Sequence, residues 1–338
     1  LVFLPKITRP IEGQGVDSAD NSATLPGKKS KAFGDSGPGE RASGVSTDLV
    51  LTVVLNGLTL AALYFIVASG FSLIFGLMRT VNMAHGSLYL IAGYVGYAVF
   101  EPLYDRDVWY AWYAGLAAGV VFAAAVGLVM QKALLGWMQG QELRQALVTI
   151  GISIIVADQL LAIYGGTPRQ FFAPDAIFGS TVVPGVGNYP TFRLVQIAVA
   201  VAVGIGLWLL LNRTKLGLMI RAGVDDREML AACGVNVPLV ALAVFALGAA
   251  LAGLGGVIGS TAQPLAQGMD GRFLLISLVV VIVGGMGSIT GTAIGAILIG
   301  LAEQIGLALF PTYSVILTFV IMVAVLALRP QGIMGRAQ

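Results

Sequence analysis

The feature that most constrains this chain is a polar interruption at 211–238, LNRTKLGLMIRAGVDDREMLAACGVNVP, set between apolar runs at 194–211 and 239–258. Each run approaches the ~20 residues that an α-helix needs to cross a bilayer, so the interruption is a connection at a membrane face. It carries Arg213, Lys215, Arg221 and Arg227 against Asp225, Asp226 and Glu228. Connections rich in Lys and Arg are retained on the cytoplasmic side, which places this one inside the cell. Within it, Asp225 is positioned to cap a short helix, with Asp226 and Glu228 in the first turn, where negative charge suits the helix dipole. Ala231 and Ala232 continue that helix, and Gly234 closes it. A solvated connector needs no such design, so a protein partner gripping the helix is the favoured reading; the alternative is a capped loop that touches nothing.

Further apolar runs lie at 49–76, 88–100, 108–135, 146–164 and 313–328, with one at 273–310 broken in its middle by GGMGSITG. Charged residues make up 11% of the chain, against about 25% in a typical soluble domain, and 57% of residues are hydrophobic. The expected fold is all-α: a polytopic integral membrane protein with about eight to nine transmembrane helical segments, some of them broken. Residues 1–48 are different material, rich in Gly, Ser, Pro, Asp and Lys, and read as a disordered or processed tail. A membrane domain over 49–338 follows, its polar loop spanning 212–237. Lys28, Lys29 and Lys31 in the tail suit a solvated segment or a contact with anionic lipid.

Assigning connections alternately to the two sides puts Arg79, Lys132, Arg144, the four basic residues of the large loop, Arg329 and Arg336 on one face. Only Arg106, Arg169, Arg193 and Arg272 fall on the other. The C-terminus is therefore expected inside and the tail outside. A net charge of +2 with no basic face argues against nucleic-acid binding. The single cysteine, Cys233, excludes an internal disulfide and a cysteine-based metal cluster.

No P-loop pattern is present, so the chain cannot by itself hydrolyse ATP in that manner. One histidine, no G-x-S-x-G elbow and no ligand spacing for a metal leave no case for an enzyme, a metal site or a cofactor. Three sets of residues remain. The first is the polar step Asn82-Met83-Ala84-His85-Gly86 between two membrane segments, where irregular backbone persists only if it is buried in protein or faces water. His85 there satisfies local backbone groups and fixes the break, or binds a ligand. The second is Gly284, Gly285, Met286, Gly287 and Ser288, whose glycines disfavour a continuous helix. Broken helices line transport paths, and small residues equally serve close helix packing. The third is the pair of acids within apolar runs, Asp158 and Glu303, which suit a proton site or a structural pairing. The motifs HGSL and MGSI head two apolar runs, a faint sign of internal repetition.

The run RAGVDDREMLAACGVNVPLVALAVFALGAALAGLGGV resembles a characteristic segment of permease subunits of branched-chain amino-acid ABC transporters. So do residues 55–94, with NMAHG, and residues 284–305 together with the terminal LRPQGIMG at 328–335. The three stretches occur in the family's order and cover the chain from about residue 50 onward. The resemblance implies an importer subunit in a bacterial inner membrane, carrying branched-chain amino acids by alternating access. Its partners would be a second permease, two cytoplasmic ABC ATPases, an external solute-binding protein and membrane lipid. On this reading Arg221, Asp225, Asp226, Arg227 and Glu228 meet an ATPase, and Asn82, His85, Gly86, Gly284, Gly285, Gly287 and Ser288 line the path. Relatives of the family also carry urea or short amides. An ion-coupled secondary transporter using Asp158 or Glu303, and a membrane scaffold that transports nothing, are the competing classes.

Overall fold

The computed structural model describes residues 47–78, 81–138 and 140–335. The expected tail, 1–48, lies outside these apart from its last two positions, as do Arg79 and Arg336. Eleven α-helices and one small hairpin make up the described chain. In order they are α1 (Thr47–Met78), α2 (His85–Tyr104), α3 (Ala111–Val129), α4 (Glu142–Tyr164), α5 (Thr191–Arg213), α6 (Lys215–Asp225), α7 (Arg227–Ala232), α8 (Val237–Ala262), α9 (Met269–Gly284), α10 (Ile289–Leu309) and α11 (Ser314–Leu328). Among the described residues, six helices are long and apolar enough to cross a membrane: α1, α3 with its continuation to Met138, α4, α5, α8 and α10. With the shorter apolar helices α2, α9 and α11, the protein is an all-α polytopic membrane protein, as its composition requires.

Packing is organised around α1, which lies against α10, α8, α9 and α5, while α3 lies against α8 and α2. Small residues make the closest of these approaches, because without the hydrophobic effect helices in lipid associate through backbone proximity. At the α1–α8 crossing a Cβ on Gly70 would lie 2.4 Å from the Gly248 carbonyl oxygen, and one on Gly248 would lie 2.7 Å from the Gly70 carbonyl oxygen. Gly300 of α10 similarly meets the backbone of Ala61. By contrast α4 and α5 expose apolar side chains such as Ile154, Ile155, Ile163, Val201 and Ile205. Lipid is the natural solvent for such a surface.

The connection at 165–193 is ordered by a hairpin, β1 (Ser180–Val183) paired antiparallel with β2 (Gly187–Pro190). Its Tyr189 hydroxyl meets the Thr59 hydroxyl at 2.9 Å and donates to Asn56 Oδ1, which also accepts from Arg193; Gln196 donates to the Thr59 carbonyl at 2.6 Å. Those bonds fasten the hairpin and α5 to the N-terminal half of α1.

Two expectations need correction. The loop at 212–237 is not one short helix within a connector but two successive helices, α6 and α7. Arg272 does not sit in a connection either. Asp270 stands in the first turn of α9, which begins at Met269, so Arg272 is a residue of that helical turn.

Candidate functional site

The helix pair between α5 and α8 is built from its caps. Thr214, in extended conformation, accepts a hydrogen bond from the Gly217 N–H through its hydroxyl and starts α6. Asp225, expected as a cap, is instead the last helical residue of α6. The next residue, Asp226, adopts the extended backbone (φ −149°, ψ 108°) that a cap requires, and its Oδ1 accepts from both Glu228 and Met229 N–H at 2.9 Å. Adjacent aspartates look alike in sequence; the backbone angle decides between them. Gly234 at φ +81° closes α7, as expected, with its N–H bonded to the Ala231 carbonyl.

Gly223 and Leu230 turn inward, Gly223 against Leu77 at the end of α1, so the pair is seated on the membrane helices. Outward stand Arg221, Asp225, Asp226, Glu228 and Met229. Arg221 donates to Asn212 Oδ1 at 3.1 Å. Arg227 is half-buried, and its Nη2 is buried without a hydrogen-bond partner among the described residues. Where the chain leaves α7, a cleft of about 410 Å³ opens between Asn236, Pro238 and Leu239 and a widened π-helical turn at Met130–Leu135, with Trp137 at its edge. Trp137 is 83% exposed. Nothing in the hydropathy of 130–138 marks this cleft; Trp137, at the edge of the polar stretch 136–145, is the available signal.

The Asn82–Gly86 step begins α2 deep inside the protein. The Asn82 side chain accepts from the Ala84 N–H at 3.0 Å and its carbonyl from the His85 N–H, a local turn of the kind Asn favours. His85 is fully buried, donates from Nε2 to the Val67 carbonyl at 3.0 Å and meets the edge of Phe71; its Nδ1 has no partner among the described residues. Gly86 allows the backbone at Asp270 to approach, since a Cβ there would fall 2.0 Å from the Asp270 carbonyl oxygen.

The second break joins α9 to α10. Gly284 packs backbone on backbone against Gly291, and Ser288 caps α10 by accepting from the Gly291 N–H at 3.1 Å. Gly285, at φ +108°, and Gly284 are covered by the terminal segment: the Ile333 and Met334 N–H groups donate to the Val283 and Gly284 carbonyls, each at 2.9 Å. Gly287 touches Gly76 at the end of α1. Hence the two polar breaks do not meet at one point; the second lies near the α6–α7 end, and the first lies between α1 and the head of α9.

The two acids part company as well. Asp158 stands exposed on α4. Glu303 is buried on α10, where it accepts from the Tyr64 hydroxyl at 2.6 Å and pairs with Arg272 Nη2 at 3.1 Å. That ion pair links α9 to α10 across 31 positions of sequence, so no local pattern announces it. No group of His, Cys, Asp and Glu among the described residues is arranged to hold a metal ion.

Fold and site together define a multi-pass helical membrane protein that presents a capped helix pair at one face and polar breaks within its bundle. The chain belongs to the branched-chain amino acid transport system / permease component family, whose model matches residues 53–326. It is 27% identical over 301 residues to the high-affinity branched-chain amino acid transport system permease protein LivH of Escherichia coli K12, covering 85% of this chain and 96% of that protein. To the corresponding BraD of Pseudomonas aeruginosa it is 27% identical over 297 residues, again with 85% and 96% covered. Among solved structures it is similar to PsaBC from Streptococcus pneumoniae in complex with Fab, at 12% identity and a TM-score of 0.44, with 82% of this chain and 91% of that one covered. Membership makes the chain a transporter component, a permease of the ABC-importer kind.

Proposed function

We propose that this chain is the membrane-spanning subunit of an ATP-driven importer that moves branched-chain amino acids across a bacterial inner membrane. ATP is hydrolysed by two separate cytoplasmic subunits, a second permease completes the pathway, and an external binding protein delivers the solute. The observation that carries this reading is the α6–α7 pair: a short helix fixed by Asp226, presenting Glu228 and Met229 outward while Leu230 and Gly223 anchor it to the bundle. Short amphipathic helices that seat in a groove of a partner are held through such outward residues. Closing of the ATPases around ATP displaces α7, the displacement passes through Leu77 into α1, and the bundle alternates between its two openings. The polar breaks at Asn82, His85, Gly86 and at Gly284, Gly285, Gly287, Ser288 flank the path. The α6–α7 end and the C-terminus face the cytoplasm.

The test is co-purification. Reversing charge at Arg227 and Glu228 together should abolish recovery of the ATPases with the tagged permease while membrane insertion stays intact; undiminished recovery overturns this role for α7. Solute accumulation by the purified chain alone, in liposomes carrying only an ion gradient, overturns the ATP-driven reading as a whole.

A further inference from the structure

The head of α9 is the least explained polar region of the bundle. Arg272 pairs with Glu303 of α10, which also meets Tyr64 midway along the span-length α1, so the guanidinium sits at a middle level of the bundle. At such depth an arginine must face protein or water. Its side chain is nonetheless 48% exposed, while its partner Glu303 is 10% exposed. Glu303 is satisfied by Tyr64 and Arg272 together, one on each oxygen. Arg272 carries five donors in a planar fork and spends few of them there.

The surroundings are open on that side. Gly268, at φ +85°, precedes α9 with no side-chain cap, and a Cβ added at Gly268 or Gly271 would meet nothing within 4 Å. The Met269 N–H is bonded to the Ala266 carbonyl at 3.4 Å, and the next two N–H groups of the first turn, which have no acceptor within the helix, lie beside a cation. Asp270, the acidic residue of this turn, is two positions from Arg272, about 200° round the helix, so it projects away from the guanidinium face. A second observation comes from a different helix. Tyr89 of α2 is fully buried and stacks at 4.0 Å on Phe273, the neighbour of Arg272; its hydroxyl lies over Gly259 within the influence of the Gln263 side chain and the Arg272 charge, and among the described residues it makes no hydrogen bond of good geometry. A buried hydroxyl so loosely held is uncommon.

We infer that the head of α9, with the Arg272 fork and the Tyr89 hydroxyl, is a carboxylate-binding subsite, and that it takes the α-carboxylate of the transported amino acid as Gln263 turns aside. Its assignment to an amino acid rests on the function proposed above; its preference for a carboxylate does not. Arg272 supplies charge and a two-pronged donor, Tyr89 a neutral donor, and the helix end its free N–H groups, while the apolar flank of Phe273 and Leu275 suits an aliphatic remainder.

The test uses the complex co-purified on the full-length chain in lipid nanodiscs, without binding protein, and ligand-observed NMR with isovalerate and isopentylamine as probes. Isovalerate should bind and isopentylamine should not. Tyr89→Phe, which keeps the ring stack, and the neutral pair Arg272→Gln with Glu303→Gln, which leaves no orphan charge, should each weaken isovalerate binding at least fivefold. Equal isovalerate binding by wild type and both variants, or equal binding of the amine, overturns the subsite. Leucine uptake by the wild-type complex decides the amino-acid reading separately: uptake lost at the subsite variants supports both, whereas uptake of leucine with unaltered isovalerate binding in the variants sinks the subsite alone.

Discussion

At the scale of single residues, the most consequential group is Glu303. A carboxylate in an apolar helix is costly unless paired, and here two donors from α1 and α9 hold it. Replacing Glu303 by Gln should lower the thermal stability of the detergent-purified protein by about 1.5–3 kcal/mol, the usual worth of hydrogen bonds to a charged group. Adding Arg272→Gln should return part of that loss, which a double-mutant cycle in thermal unfolding measures; additive losses would show that the pair is not coupled. Asp226 gives a second test at this scale. Asp226→Ala removes the acceptor of two N–H groups at the head of α7 and should cost about 1 kcal/mol locally. Recovery of the ATPases should fall several-fold with no change in the amount of inserted permease, read by quantitative immunoblot.

For helices as units, the small residues sort into those that carry contacts and those that face open space. Gly70→Val and Gly248→Val each drive a side chain into the opposing backbone and should largely abolish folded yield after size-exclusion chromatography. At Gly151 on α4 and Gly206 on α5 an added Cβ meets nothing within 4 Å, so Gly→Ala there should leave yield unchanged or raise it, since alanine is favoured in helices by about 1 kcal/mol. The spans themselves were legible because hydropathy and length fix them: the runs at 194–211 and 239–258 became α5 and α8 within a few residues. Boundaries set by backbone angle were less so, as with the cap that moved from Asp225 to Asp226. Pairings across helices were not legible at all, because the partner of Glu303 is 31 residues away on another helix. The hairpin at 180–190 escaped for a different reason: its strands are four residues each, too short for alternation to register.

Taken as a whole molecule, the protein has one built-in reporter of its orientation. Cys233 is its single cysteine and lies exposed at the end of α7. A membrane-impermeant maleimide should label it in inside-out vesicles and leave it unlabelled in intact spheroplasts; the reverse pattern would invert the proposed topology. Mechanically, the meeting of main chains at Gly70 and Gly248 has its own consequence. Two rods meshed so closely that neither glycine has room for a Cβ cannot slip along one another without bringing a larger neighbour against the opposing main chain. A nudge delivered at one end of α8 is therefore not dissipated by creep between neighbours; it must tilt the meshed pair bodily, and whatever loosens during a cycle has to be found among the lightly seated outer helices.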